Sequence, residues 1–210
     1  MGVQIQQLKE NLKKNGLRGL ALDIDDTLSE TNAHWYDHMV KFSGPKDLTK
    51  EKLLKSGKWI ENIPEWQTEK AQEHMKATLH SNDFNEAIPL IHGADEAVRA
   101  IDRLIPIVAY ITARPATVIE GTLNWLKKHG FPEAELITRP EDIKLEEFNV
   151  NKNKWKAQIL AELYPEVIGI VDDNMGLTRE LEALDYKGTV YLYRKETNEF
   201  EGHKQVVVCP

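Results

Sequence analysis

Short apolar segments alternate with amphipathic segments along most of this chain, and that alternation constrains the fold more than any other feature. Residues 19–24, 105–111 and 167–171 are mainly apolar, which is typical of strands buried on both faces of a parallel sheet. Residues 189–193 predict a last, more exposed strand. Because apolar residues recur at helical spacing between these segments, we predict an α/β fold of three layers, with helices on both faces of a mostly parallel sheet.

Proline and glycine mark the predicted helix ends in the second half of the chain. Pro115 is predicted to open a helix and Gly130 to close it, because proline suits the first turn and glycine the position after the last turn. Residues 155–163 carry the apolar spacing of a further helix, and a lysine-rich segment at 151–156 leads into it. That helix would bring the chain to the strand at 167–171.

Residues 29–88 have a different character, and we call them the helical insertion. They hold three of the five tryptophans (Trp35, Trp59 and Trp66) and many lysines and glutamates, with no alternation of period two. Helical spacing appears at 31–42, 47–56 and 64–79. We therefore predict a core domain made of residues 1–28 and 89–210, and a small helical domain inserted after the first strand.

Composition narrows the classes of partner. The 27 basic residues against 34 acidic ones give a net charge of −7, which argues against a nucleic acid polymer or an anionic membrane as the main partner. No apolar run approaches the roughly 18 residues that a membrane span needs. The single cysteine, Cys209, fits a reducing compartment, so we expect a cytoplasmic protein.

Acidic residues stand where two of the predicted strands end. The first strand ends in Asp23-Ile-Asp25-Asp26-Thr27, and the third ends in Asp172-Asp173-Asn174. The carboxyl ends of parallel strands meet at one edge of the sheet, so these carboxylates would converge and repel one another. A divalent cation would relieve the repulsion, and a ligand set made only of oxygen favours Mg²⁺ over zinc.

A phosphate group is the expected partner of such an ion. The second strand ends in Thr112-Ala-Arg114-Pro115, and the hydroxyl of Thr112 together with a lysine could hold phosphate oxygens beside the metal. The chain has no Gly-x-x-x-x-Gly-Lys-Ser/Thr loop, so a nucleotide site of that type is not predicted. An aspartate can itself be the nucleophile and form an aspartyl phosphate.

These motifs resemble those of the haloacid dehalogenase (HAD) superfamily in type and order. Asp23-x-Asp25-x-Thr27, then Thr112, then a lysine, then Asp172-Asp173, span most of the core, and the insertion lies where that superfamily carries a helical C1 cap. The resemblance implies a Rossmann-like core. It also implies that Asp23 is the nucleophile and a Mg²⁺ ligand, and that Asp25 is the general acid and base, with its backbone carbonyl on the metal. By the same resemblance, Thr112 binds the phosphoryl group. Asp172 and Asp173 are implied to hold the metal.

Five further residues are candidates for the same site. The resemblance calls for a lysine that pairs with phosphate and Asp23, and Lys156 is preferred because it follows an aromatic residue, with Lys154 and Lys152 as rivals. Arg114 is a candidate substrate ligand or a brace for the acidic residues. Trp35 is a candidate substrate contact from the insertion.

The resemblance implies a Mg²⁺-dependent phosphomonoester hydrolase that acts on a small phosphorylated metabolite through an aspartyl phosphate. The aspartate at position 25 is what phosphatases and phosphomutases of the superfamily carry. Three alternatives stay open. One is a phosphomutase or phosphotransferase with the same groups, another is a non-catalytic phosphate-binding relative, and the third is a receiver domain. The substrate and the oligomeric state are not predicted.

Overall fold

The computed structural model describes residues 2–45, 47–58, 60–140, 145–193, 199–200 and 202–209, and of residues 61 and 145–150 it describes the backbone alone. Its strands form one six-stranded sheet in which all neighbours are parallel. The strands are β1 (Gly19–Leu22), β2 (Ile107–Pro115), β3 (Glu135–Arg139), β4 (Val167–Asp172), β5 (Thr189–Tyr193) and β6 (Val206–Cys209). Their spatial order, β3-β2-β1-β4-β5-β6, confirms the predicted α/β fold with a Rossmann-like sheet.

Helices cover both faces of this sheet. The helices are α1 (Gly2–Lys14), α2 (Thr31–Ser43), α3 (Lys50–Ser56), α4 (Glu69–Leu79), α5 (Asn82–Glu86), α6 (Ala94–Asp102), α7 (Ile119–Lys128), α8 (Leu145–Leu163) and α9 (Met175–Ala183). Apolar residues of α1, α8 and α9 pack on one face, in one cluster with Ala21 of β1. Those of α6 and α7 pack on the other face, in a second cluster with Leu20 and Leu22 of the same strand. The alternation along β1 therefore supplies both cores.

The helical insertion has an apolar cluster of its own. Helices α2 to α5 lie in it, together with short 3-10 helices at Ile60–Asn62 and Pro64–Trp66. Its buried cluster includes Trp35, Met39 and Trp66 and is separate from the two clusters that flank the sheet. Trp59 lies outside the described residues. The insertion leaves the core after β1 and returns before β2.

Several element boundaries differ from the predictions for local reasons. Pro115 ends β2 instead of opening a helix: the strand continues through Thr112, a 3-10 turn follows at Ala116–Val118, and α7 begins only at Ile119. The predicted helix at 64–79 is divided, because Thr68 caps α4 by accepting a hydrogen bond from the backbone N–H of Ala71. Gly130 does follow α7, with a φ of 67°.

Other elements were not predicted at all. The strand at 189–193 is not the last one, because β6 pairs with its outer edge. Helix α5 was absent from the predictions, and α8 begins ten residues before Trp155, so the lysine-rich segment lies within that helix. In the part of the chain that the structure describes, none of the helices has the length and apolar character needed to cross a bilayer.

Candidate active site

The acidic residues meet because β1 and β4 are neighbours at the centre of the sheet. Leu22 pairs with Val171, and the backbone N–H of Asp23 donates to the carbonyl of Val171 at 3.0 Å. The chain runs outward in one direction from β1 to β3 and in the other from β4 to β6, so this is the point where the strand order reverses. Ligands of open α/β sheets bind beyond the strand ends at such a point.

A buried lysine joins the two strand ends. The ammonium group of Lys156, on α8, donates to Asp23 Oδ1 at 2.6 Å and to Asp172 Oδ2 at 2.8 Å. All three residues are buried. Burial alone would lower the pKa of Lys156, but the charges of Asp172 and Asp23 outweigh it and hold that pKa above its usual range. The lysine therefore stays charged within this site.

Three carboxylates form an oxygen cluster next to this lysine. Asp23, Asp172 and Asp173 each offer one oxygen, and these oxygens lie within 4.8 Å of one another. Burial raises the pKa of Asp23 well above its usual range; Lys156 opposes that rise, while the neighbouring aspartates add to it. A divalent cation would favour the ionised carboxylate, and an all-oxygen donor set suits Mg²⁺. The residues present therefore fit a magnesium ion.

Asp25 lies beside this cluster, but its carboxylate makes different contacts. Its Oδ1 accepts from Arg114 Nε at 2.9 Å and from Thr31 Oγ1 at 2.7 Å. Its Oδ2 accepts from Thr112 Oγ1 at 3.0 Å. Burial raises the pKa of Asp25, but the Arg114 charge and these hydrogen bonds outweigh burial, so the pKa lies below its usual value. The two aspartates of the first motif thus have opposite electrostatic environments.

The turn between Asp25 and Thr27 contains a residue whose backbone lies in the left-handed region. Asp26 has a φ of 59°, a conformation that aspartate tolerates better than most residues. Its Oδ1 accepts the backbone N–H of Asn32 at 3.0 Å, in the first turn of α2. The residue before α2, Glu30, supplies no side-chain cap. Asp26 therefore caps the first helix of the insertion from within the loop that follows β1.

Two asparagines, Asn174 and Asn153, also contribute contacts to the site, and the sequence analysis gave neither of them a role. Asn174 donates its backbone N–H to Asp172 Oδ1 at 2.8 Å and caps α9 through the N–H of Gly176. Its side-chain amide donates to Asn153 Oδ1 at 2.9 Å. A Cβ at Gly176 would lie 2.2 Å from Asn153 Nδ2, so a larger residue there would displace the Asn153 amide. The one signal for this role was an asparagine between a strand and a helix.

The remaining candidates occupy distinct places. A cleft of about 80 Å³ opens beside the carboxylates and is lined in part by Lys152 and Lys156, whereas Lys154 is exposed and lies outside that lining. Trp35 packs in the insertion, 4.5 Å between ring centroids from Phe84, and is not among the described residues that line the cleft. Its role as a substrate contact stays a prediction.

Arg114 and Thr112 are not among the described residues that line the cleft, although Ala113 between them is. Arg114 is buried and pairs with Asp25, and Thr112 is fully buried with its hydroxyl on the same carboxylate. Arg114 therefore contacts one of the acidic residues, and its role as a substrate ligand or as a brace stays a prediction. Phosphoryl binding by Thr112 stays a prediction.

Comparison with solved structures places this geometry in a known fold. The crystal structure of a HAD hydrolase, family IA, variant 3, from Entamoeba histolytica HM-1:IMSS is similar over 91% of this chain and 92% of that chain, with a TM-score of 0.53 and 16% identity. The chain has the haloacid dehalogenase fold. No protein-family model matches its sequence, and no curated protein matches it either.

A second solved structure is less similar to the chain. It is a protein with unknown function from Bordetella pertussis Tohama I, 19% identical over 84% of this chain and 90% of that chain, and its TM-score of 0.41 is too low to support a conclusion.

In the haloacid dehalogenase fold seen here, the acidic ends of β1 and β4 lie side by side, and Lys156 on α8 contacts both. The sequence resemblance and the fold therefore agree.

Proposed function

We propose that the chain is a haloacid dehalogenase-type phosphatase, a Mg²⁺-dependent hydrolase of small phosphomonoesters. The observation that carries the proposal is the contact of one buried lysine with Asp23 and Asp172, inside a cluster of carboxylates at the centre of the sheet. A cation beside several carboxylates suits phosphoryl transfer, in which charge neutralisation and positioning supply most of the catalysis.

The chain's own residues supply each chemical step of this proposal. The reacting form has Asp23 ionised and Asp25 protonated: an oxygen of Asp23 attacks the phosphorus atom, the bond to the leaving oxygen breaks, and that oxygen takes the proton of Asp25, which becomes a carboxylate. Asp25 then takes a proton from the water that attacks the aspartyl phosphate, which returns free Asp23 and inorganic phosphate. Lys156 balances negative charge on Asp23 and on the phosphoryl oxygens throughout.

Asp23, Asp172 and Asp173 would hold the magnesium ion. When bound, the ion supplies charge neutralisation at the phosphoryl oxygens. The backbone carbonyl of Asp25 is the further ligand that the sequence resemblance implies. We also propose that Thr112 binds the transferring group.

The helical insertion fits a cap over the cleft in this proposal. Its separate apolar cluster lets it move as a unit, and both of its connections to the core lie near Asp25. The cleft of about 80 Å³ suits a small phosphorylated metabolite better than a polymer. A cytoplasmic location belongs to the same proposal and is supported by the single cysteine.

The test is phosphate release from a panel of small phosphomonoesters, with Mg²⁺ and with EDTA. Asp23→Asn is the inactive variant and Asp185→Asn, at an exposed acid that does not line the cleft, is the matched control. Metal-dependent release by the wild type and the control, lost in Asp23→Asn, supports the hydrolase. Release that needs a second phosphorylated compound as acceptor would instead indicate a mutase or phosphotransferase. Mg²⁺ binding without turnover of any ester would indicate a binding relative.

A further inference from the structure

Arg114 is a buried arginine whose guanidinium group contacts Asp25 and Ser29, in the segment that follows β1. Its Nε and Nη2 lie 2.9 Å and 2.8 Å from Asp25 Oδ1, and Nη2 donates to Ser29 Oγ at 3.2 Å. The group also lies over the ring of Trp125, 5.8 Å from its centroid. Only 4% of Arg114 is exposed, and it does not line the cleft beside Asp23.

Ser29, the second partner of this guanidinium, lies where the insertion joins the core. It forms a bridge with Asp25 on one side and with Leu90 on the other. The backbone N–H of Glu30 donates to the carbonyl of Pro89 at 2.8 Å, so the outgoing and returning chains pair directly. Arg114 therefore touches both the Asp25 carboxylate and the junction through which the insertion is attached.

We propose that Arg114 is a positioning residue that fixes the Asp25 carboxylate relative to the junction between core and insertion. The inference rests on the proposed function, because it assigns Asp25 the proton transfers of that reaction. Arg114 acts through Asp25 and makes no contact with substrate. An aligned proton donor matters most when the leaving oxygen is strongly basic, since a weakly basic one can depart without a proton.

The fork shape of the guanidinium is what this role requires. Two nitrogens of one rigid plane reach Asp25, and one of them also reaches Ser29. A lysine ammonium is a single point of charge on a flexible stem and cannot reproduce that arrangement. Arg114→Lys therefore keeps the charge and loses the positioning, while Arg114→Met loses both.

The experiment compares two esters that differ in the basicity of the leaving oxygen. With saturating Mg²⁺, kcat/KM is measured for p-nitrophenyl phosphate and for glycerol 2-phosphate, because kcat/KM reports only the steps up to the phosphoenzyme. The matched control is Arg139→Met, which removes another arginine that is 4% exposed, at the end of β3. Circular dichroism and thermal melts show how far each variant remains folded.

We expect both Arg114 variants to lose about 100-fold in kcat/KM with glycerol 2-phosphate and less than about fivefold with p-nitrophenyl phosphate. A burst of p-nitrophenolate equal to the enzyme concentration is expected as well, because water attack on the phosphoenzyme also needs Asp25. Arg139→Met should affect the two esters equally. The leaving-group dependence is a readout that a loss of folding alone would not produce.

Other results would overturn the inference in distinguishable ways. A parallel loss on both esters, unchanged kinetics, or faster cleavage of glycerol 2-phosphate by the Arg114 variants would each refute positioning while wild-type turnover upholds the proposed function. If wild type and Asp23→Asn alike hydrolyse neither ester, the proposed function fails and the inference falls with it.

Discussion

Lys156 donates a 2.6 Å hydrogen bond to Asp23, a residue 133 positions earlier in the chain. The same ammonium group reaches Asp172, so it lies between the ends of two neighbouring strands. Removing Lys156 would leave the carboxylates of Asp23 and Asp172 buried without a compensating positive charge. The contacts of Lys156 therefore contribute to the stability of the site as well as to its proposed chemistry.

Replacement of Lys156 should greatly reduce turnover. Lys156→Met removes the positive charge beside Asp23, and we expect kcat for any active ester to fall by at least about 100-fold, the range seen when one preorganised donor is lost. Lys154→Met is the matched control on the same helix, because Lys154 is exposed and does not line the cleft. The opposite ranking of the two variants in a steady-state assay would make Lys154 the phosphate-binding lysine.

Asp23→Asn should stabilise the metal-free protein at neutral pH. Because burial raises the pKa of Asp23 above the unfolded value of 3.8, the ionised form is disfavoured in the folded protein. That penalty is absent below the unfolded pKa, grows as pH rises through the interval up to the folded pKa, and is complete above it. The asparagine side chain is uncharged, so the variant does not incur this cost of burying a charge. The gain in stability comes with a loss of function, as is common when a charged catalytic group is replaced.

Thermal melts in EDTA check this expectation. Asp23→Asn should melt above the wild type at pH 7, where each ~1 kcal/mol moves Tm by about 2–4 °C for a protein of this size, and the gap should shrink toward pH 4. A lower Tm for the amide at pH 7 would mean that the Lys156 contact outweighs the burial of the carboxylate.

Magnesium should stabilise the wild-type protein through the acidic cluster. A ligand that binds only the folded state at 100 times its Kd adds about 2.7 kcal/mol to the free energy of unfolding. Asp172→Asn removes one of the three carboxylates and should abolish the Mg²⁺-dependent rise in Tm, whereas Asp185→Asn should retain it. An equal rise in both variants would place the bound metal elsewhere.

Local patterns in the sequence were enough to predict the sheet and the acidic cluster. Asp23 and Asp172 follow apolar strands, and parallel strands of this length carry their ends to one edge, so their meeting follows from topology alone. The position of β6 did not follow in the same way. It is a four-residue strand at the edge of the sheet, with Val207 exposed, and nothing in its sequence requires pairing with β5.

The surroundings of Asp25 could not be predicted from the motifs. Thr31 and Ser29 belong to the junction with the insertion, and their hydroxyls reach Asp25 and Arg114 because of how the two connections pair in space. The start of α8 escaped prediction for another reason. Its residues 151–154 are polar and show no apolar spacing, so tertiary packing of the later turns defines the helix.

Trp35→Phe should distinguish a packing role from a substrate contact. Trp35 is 9% exposed and packs on Phe84 inside the insertion, so the smaller ring should cost about 1–2 kcal/mol of stability and leave KM unchanged. Trp66→Phe, in the same cluster and fully buried, is the control for a purely structural loss. A raised KM for Trp35→Phe at unchanged stability would instead identify a substrate contact.

The insertion should lose stability as the pH falls below about 6.5, because burial and the contact with His74 disfavour the charged form of His38. The Nε2 atoms of His38 and His74 lie 2.7 Å apart, so one must donate and the other accept. Burial lowers the pKa of His38 from its usual 6.5, with help from the charges of His74 and Lys41. Between the folded pKa of His38 and 6.5, this histidine binds more protons in the unfolded chain than in the folded one. The free energy of unfolding therefore decreases as the pH is lowered across that interval.

Urea denaturation at pH 7.5 and pH 5.5 measures this effect, with His38→Gln as the comparison. Glutamine keeps a hydrogen-bonding group opposite His74 but does not titrate, so the variant should lose less stability than the wild type between the two pH values. His34 remains in both proteins, and its pKa is lowered by burial and by the charge of His38, so its own contribution to the pH dependence should also shrink in the variant. Equal losses in the two proteins would mean that the His38–His74 contact is not responsible for the pH dependence.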